Sequence, residues 1–282
     1  MIPLLQVRNL SVRYCAEGRV EHAAVASMSF EIAPGETVGL MGESGCGKST
    51  IALALLGLLS REIAEISGSI KFRNRELLRM QERELQQIRG AAISMVSQEP
   101  EIALSPVMRV GDQIAEVFRA HRDLSARECR AEAESMLALV GLPQTQRIFA
   151  SYPHQLSGGQ RQRIVLAQAL ACGPALVIAD EPTSSLDAVS QSAFIALLRD
   201  LKQQMAISLL LISHTPEIQA SLADRVIVMK EGRIVEQGTF AQLYRKPSHP
   251  YTRSLVRASR TVDLDGTFDW QEPVHVMEEF VR

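Results

Sequence analysis

The sequence predicts an α/β fold: a parallel sheet flanked by helices, with short strands at the N-terminal end and a helical segment inserted partway along. Three observations predict it. Residues 176–179 and 208–212 are continuous apolar runs of the type buried on both faces of a parallel sheet, and residues 186–204 lie between them as a helix. The first 72 residues read as short strand-like runs separated by turns. From about 100 to 168 the texture changes to long polar helical patterns, such as 126–140 with Glu128, Glu132 and Glu134 among apolar positions.

Residues 4–7 and 11–14 alternate loosely and read as two strands; a turn-like Ala16-Glu17-Gly18-Arg19 then leads to a strand over 24–32. Pro34-Gly35 is a turn, and Thr37–Met41 a short buried strand. Residues 49–59 have an apolar helical pattern, and 68–72 and 92–96 are further strands. Beyond the strand–helix–strand unit, 225–229 and 233–236 form a hairpin around Lys230-Glu231-Gly232, followed by a short helix and a polar tail.

Composition bounds the function. A chain of 282 residues with 46% hydrophobic content can bury one large core or two small ones. The net charge of −2 shows no basic excess, so nucleic acid is not an expected partner. The start, MIPLLQVRNL, lacks the basic and apolar regions of a secretory signal. The longest uncharged stretch, 164–179, is interrupted by Gly173-Pro174 and is shorter than the roughly 18–20 apolar residues of a spanning helix. Work at a membrane is therefore expected to pass through partners. Cys15, Cys46, Cys129 and Cys172 show no C-x-x-C spacing, and neither a zinc site nor a disulfide is expected.

Gly42-Glu43-Ser44-Gly45-Cys46-Gly47-Lys48-Ser49-Thr50 fits G-x-x-x-x-G-K-[ST] between a predicted strand and a predicted helix. Glycines let the backbone wrap an anion with successive N–H groups pointing inward, and a helix N-terminus adds partial positive charge. Lys48 is placed to reach β- and γ-phosphates, and the Ser49 hydroxyl to ligate Mg²⁺. The bland alternative is a Gly-rich turn. Cys46 fills an unconstrained position, its thiol expected to be shielded by bound nucleotide. Further on, Asp180-Glu181 ends an apolar strand. Adjacent strand residues point to opposite sides, so the two acids can take different tasks: Asp180 on Mg²⁺, Glu181 on the attacking water. The alternative is a pair of solvated turn residues.

Leu156-Ser157-Gly158-Gly159-Gln160 precedes a helix starting Arg161-Gln162-Arg163. It reads as a Ser-capped helix start, but a cap needs no pair of glycines. With this segment the sequence resembles the ATP-binding cassette (ABC) family, over roughly residues 4–239. The resemblance implies a P-loop NTPase fold: a RecA-like core, an N-terminal antiparallel β subdomain and a helical subdomain inserted at about 100–168, with 240–282 as a C-terminal tail. It implies ATP and Mg²⁺ as cofactors and hydrolysis as the activity. Tyr14 resembles the aromatic on which adenine stacks, the alternative being an ordinary strand tyrosine. Gln98 resembles the glutamine that senses Mg²⁺, although the family often has an aromatic where Ser97 stands. Ser184-Ser185-Leu186-Asp187 resembles the loop that communicates across a cassette pair. His214 resembles the γ-phosphate switch, with Thr215 where an acid commonly follows. Because the cradle and Ser157–Gln160 lie far apart within one subunit of the family, a complete site needs a second ATPase subunit, self or paralogue.

Two stretches resemble the oligopeptide, dipeptide and nickel importer branch. One is Glu101-Ile102-Ala103-Leu104-Ser105-Pro106-Val107-Met108, with Ser105 where asparagine is common; the other is the tail His249-Pro250-Tyr251-Thr252. This implies an ATPase on the cytoplasmic face of the inner membrane, peripheral to two membrane permease subunits and served indirectly by a solute-binding protein. No cysteine follows Cys172, so the iron–sulfur segment of some members is not expected. The alternative is a cytosolic accessory ATPase of the carbon–phosphorus lyase type, which shares the tail. A nucleic-acid repair ATPase would need coiled-coil arms, and there are no sustained heptads.

Overall fold

A computed structural model describes residues 2–16, 19–60 and 62–260, and the statements below concern those residues. The elements run β1 (Leu5–Ala16), β2 (Arg19–Ile32), β3 (Thr37–Met41), α1 (Lys48–Leu55), β4 (Ala64–Phe72), β5 (Arg75–Glu76), α2 (Glu82–Ile88), β6 (Ile93–Val96), α3 (Pro100–Ala103), α4 (Val110–His121), α5 (Ala126–Leu139), α6 (Thr145–Ala150), α7 (Gly158–Leu170), β7 (Leu176–Asp180), α8 (Ala188–Met205), β8 (Ser208–Ile212), α9 (Pro216–Leu222), β9 (Arg225–Lys230), β10 (Arg233–Gly238), α10 (Phe240–Arg245) and α11 (Pro250–Arg260).

Two sheets form. One is antiparallel in the order β2-β1-β4-β5; the other has the order β10-β9-β3-β8-β7-β6. In the second, every pair is parallel except β9 with β10. The α/β expectation therefore holds, and the physical cause is visible along β7 and β8. Val177, Ala179, Leu209 and Leu211 join one hydrophobic cluster, while Leu176, Ile178, Leu210 and Ile212 join another. Alternate side chains thus enter cores on opposite faces, so the strands are apolar except at one end, Asp180 closing β7 and Ser208 opening β8. The first cluster includes Ile114, Phe118, Cys129, Leu137 and Phe149 from α4, α5 and α6. The inserted helices and the sheet share that core.

The two strands expected over 4–7 and 11–14 are one long strand, β1. Its interruption is an irregularity rather than a turn: pairing shifts between Val7 and Leu10, and Asn9 takes φ 47°. Asn tolerates the left-handed region, so the chain kinks and resumes pairing. The helix expected over 49–59 stops at Leu55, with Gly57 at φ 61° just beyond it. The expected turn at 16–19 falls partly outside the described residues, as does the tail beyond 260. The hairpin between β9 and β10 turns through Glu231 and Gly232, both at positive φ (48° and 74°), which is the geometry that suits the twist of paired strands.

Caps start the helices where the sequence supplies them. Ser125 Oγ accepts the Glu128 N–H at 3.3 Å, and Glu128 Oε2 accepts the Ser125 N–H at 2.8 Å, a reciprocal cap that starts α5. Asp187 does the same work for α8, its Oδ1 accepting the Ser190 N–H at 3.0 Å.

One buried side chain ties the two central strands to the loop that follows β8. Gln219 of α9 donates from Nε2 to Leu40 O at 3.3 Å and to Ser213 O at 3.0 Å. It has room only because residue 39 is glycine: a Cβ there would lie 1.9 Å from Gln219 Oε1. Gly39→Ala is expected to displace Gln219 and lower stability by about 1–3 kcal/mol. Urea unfolding measures this, and an unchanged midpoint would show that the bridge contributes nothing.

Candidate active site

Parallel register places the chemistry. Leu40 of β3 pairs with Ile212 of β8, and Ile212 pairs with Asp180 of β7. These three residues lie level across adjacent strands. The residues that follow them leave the sheet from one edge, the carboxyl edge where open α/β sheets bind ligands. A cleft of about 840 Å³ opens there. Gly42, Glu43, Ser44, Gly45, Gly47, Lys48, Ser49, Thr50, Gln98, Asp180, Glu181 and His214 line it. Segments from Met41 to Ala258, far apart in sequence, thus converge on one space, of a size ordinary for a small-molecule site.

The loop between β3 and α1 is held tightly from behind. Gly47 has φ 104°, and a Cβ there would lie 2.2 Å from Ala24 O. No other residue fits this turn. Lys48, nearly buried, folds back over the loop: its Nζ donates to Gly42 O at 2.8 Å and to Glu43 O at 2.9 Å. The ammonium is therefore stationed at the cleft by carbonyl oxygens that an incoming anion can replace.

On the opposite wall, Asp180 is 7% exposed, and its Oδ1 is buried without a partner. Burial raises its pKa; the Ser49 hydroxyl works against that rise, the Glu181 charge adds to it, and Lys48 opposes it. A buried carboxylate with a free oxygen beside a hydroxyl is a fitting pair of ligands for a hard cation. Among the described residues no group of three or more His, Cys, Asp and Glu could hold a metal by itself.

Glu181 turns away from Asp180 at the strand end, with φ 45°. That left-handed conformation costs a non-glycine residue on the order of 1–3 kcal/mol. It lets the carboxylate meet the end of β8. Glu181 Oε1 accepts the His214 backbone N–H at 3.0 Å and lies 2.8 Å from His214 Nδ1, while Ser213 Oγ donates to Oε2 at 3.4 Å. Gln98 is exposed on the segment between β6 and α3, facing the cleft.

Some residues singled out in the sequence lie elsewhere. Tyr14 stands outside the cleft lining, its hydroxyl 3.2 Å from Thr50 Oγ1. Cys46 is also absent from the cleft lining: it is 6% exposed, its Sγ lies 3.7 Å from Lys48 Nζ, and it lines a separate small pocket with Lys230 and Tyr251. Its thiol is thus largely covered by the fold itself. Ser157, Gly158, Gly159, Gln160 and Asp187 form a second surface, none of them lining the cleft. Ser157 Oγ accepts the Gln160 N–H at 3.3 Å, and Gln160 Oε1 accepts the Ser157 N–H at 3.0 Å, so this segment caps α7. A Cβ on Gly158 would meet Ser185 O at 4.0 Å and one on Gly159 would meet Ser190 Oγ at 3.7 Å. The start of α7 therefore adjoins the start of α8.

Sequence reasoning missed Ser213, Tyr251, Leu255 and Ala258. Tyr251 lies in the singled-out tail segment, but its reach to the loop, where its hydroxyl accepts the Glu43 N–H at 3.0 Å, has no local signal. Leu255 and Ala258 of α11 line the cleft.

Residues 25–184 match the family described as ABC transporter. The dipeptide transport ATP-binding protein DppD of Bacillus subtilis (strain 168) is 42% identical over 267 residues, covering 94% of this chain and 79% of that protein. The probable peptide ABC transporter ATP-binding protein y4tR of Sinorhizobium fredii is 43% identical over 256 residues, covering 90% of this chain and 76% of that protein. Among solved structures, the dimeric post-hydrolysis state of the ATP-binding cassette MJ0796 bound to ADP and Pi superposes with a TM-score of 0.74 at 26% identity, covering 84% of this chain and 98% of that one. The cradle, the paired acids and the parallel register that joins them are thus those of a known lineage: the chain belongs to the ABC transporter family, as one of its ATP-binding, ATP-hydrolysing cassettes.

Proposed function

We propose that this chain is the ATPase subunit of a membrane importer for peptides or a related small solute, and that it works as one half of a cassette pair. The observation that carries the reading is the cleft, where a lysine on exchangeable carbonyls faces a partnerless buried carboxylate oxygen and a carboxylate gripped by a histidine. The transport names of the relatives favour import over an accessory ATPase. Among the described residues no helix is long and apolar enough to cross a membrane, which suits a peripheral subunit beneath two permeases at the inner membrane.

In this reading the loop N–H groups cradle the phosphates and Lys48 moves from the Gly42 and Glu43 carbonyls to the β- and γ-phosphate oxygens. Adenine lies against Tyr14. Ser49 and Asp180 would hold Mg²⁺, with Gln98 in the same cleft, and the bound ion would supply neutralisation of phosphate charge. Glu181 polarises the attacking water. His214 holds the Glu181 carboxylate and, with its side chain 69% exposed, is free to turn toward the γ-phosphate.

Ser157–Gln160 and Asp187 cap α7 and α8 within the chain, and take part in nucleotide binding only if another molecule reaches them. Within the chain, the two glycines of this segment are not needed for packing, since a Cβ on either meets nothing closer than 3.7 Å. Their bareness suits a phosphate brought by a second cassette, with the helix N-terminus of α7 facing it. Two chains placed head to tail would complete two such sites.

Three outcomes test the reading. Glu181→Gln should retain Mg-ATP binding and lose hydrolysis by roughly 10²–10⁴-fold, accumulating as an ATP-bound dimer in gel filtration; undiminished turnover removes Glu181 from the chemistry. Ser157→Arg should bind ATP as a monomer and fail to dimerise, and an ATP-dependent dimer of this variant would contradict the composite site. Purified from its native cells in mild detergent with ATP, the Glu181→Gln chain should bring two polytopic membrane subunits with it. Recovery of soluble enzyme subunits alone would overturn the importer reading and leave the ATP chemistry intact.

A further inference from the structure

The tail segment His249-Pro250-Tyr251-Thr252 has no part in the roles assigned so far, yet it is built into the protein with care. Glu236 of β10 accepts the Ser248 N–H at 2.7 Å and the His249 N–H at 3.0 Å. His249 Nδ1 in turn accepts the Tyr251 N–H at 3.1 Å, so α11 starts from a fixed point. Tyr251 is 8% exposed and packs in a cluster with Met41, Val226, Val228 and Leu243. Lys230 Nζ stands 5.3 Å from its ring centroid.

The ring and its hydroxyl bracket the first peptide of the phosphate loop. Met41, in the ring's cluster, immediately precedes Gly42, and the Tyr251 hydroxyl accepts the Glu43 N–H at 3.0 Å. That N–H belongs to the same peptide unit as Gly42 C=O, the oxygen that accepts Lys48 Nζ at 2.8 Å. The N–H and C=O of a trans peptide are coplanar and point in opposite directions. A tyrosine that holds the N–H outward therefore aims the carbonyl inward, at the ammonium. Without the hydroxyl the outward N–H of this part-buried peptide loses its protein partner, and the peptide is free to rotate away from Lys48.

We infer that Tyr251 is a positioning residue for Lys48, acting through the Gly42–Glu43 peptide, so that the C-terminal segment sets the affinity of the phosphate cradle. The inference rests on Lys48 being the phosphate-binding lysine. It assigns the His-Pro-Tyr-Thr segment a task in nucleotide binding. The same helix α11 supplies Leu255 and Ala258 to the cleft wall, so the segment and the cradle form one structural unit.

The test uses the full chain and Mg-ATP affinity measured by calorimetry, with thermal stability read in parallel. Tyr251→Phe keeps the ring and deletes only the hydroxyl. It should weaken Mg-ATP binding by roughly threefold to tenfold, the effect of one ordinary hydrogen bond. Ser254→Ala, which deletes a hydroxyl that donates to Pro250 O on the same helix and lies outside the cleft lining, serves as the control and should leave affinity unchanged. Wild-type affinity in Tyr251→Phe would overturn the inference. Equal weakening in both variants would also overturn it, by showing that the tail acts only through general stability. Lys48→Ala separates the two levels: if it binds Mg-ATP as wild type does, the cradle reading itself fails, whereas its loss of binding beside an unaffected Tyr251→Phe condemns the tail proposal alone.

Discussion

Leu40, Ile212 and Asp180 lie level across three neighbouring parallel strands, and the rest of the cleft depends on that alignment. It lets a loop from one strand, a carboxylate pair from another and a histidine from the strand between them share one edge of the sheet. The alignment is enforced from both sides. Apolar residues of β7 and β8 enter separate cores above and below the sheet, so a one-residue slip would bring every side chain to the wrong face. Gln219 then links the ends of β3 and β8 directly through two buried carbonyls.

On that frame the reactive groups are poised by their neighbours more than by their own conformations. Lys48 rests on two loop carbonyls, Glu181 on His214 and Ser213, and Asp180 keeps one buried oxygen without a partner. The first two are contacts that a phosphate and a water can exchange into, and the third is an uncompensated acceptor suited to a cation. The left-handed backbone at Glu181 is the visible conformational cost of separating it from Asp180 at the end of one strand.

Glycines mark the difference between what the chain completes alone and what it leaves for another molecule. At Gly47 the backbone of β2 leaves no space for a side chain, so the glycine is explained within the chain. At Gly158 and Gly159 nothing in the chain forbids one. The bare start of α7, next to Asp187 at the start of α8, is the surface proposed to receive a second cassette. The shared core that joins α4–α6 to β7 and β8 makes this surface and the cleft parts of one body.

The sequence by itself determined the α/β class, the cradle, the acid pair and the capped start of α7, because each is written in local spacing: two-residue and helical periodicities, positive-φ glycines, and caps that act within three or four residues. It misjudged β1 as two strands because a bulge and a turn leave similar local marks. Only the tertiary structure decided that β8 lies between β3 and β7, so that His214 meets Glu181; that Cys46 is covered outside the cleft lining, against Lys48 Nζ; and that Tyr251 reaches the Glu43 N–H across 208 residues of chain. Such contacts are set by which elements pack together. A hydrogen bond between residues that far apart leaves no periodicity in the sequence to read.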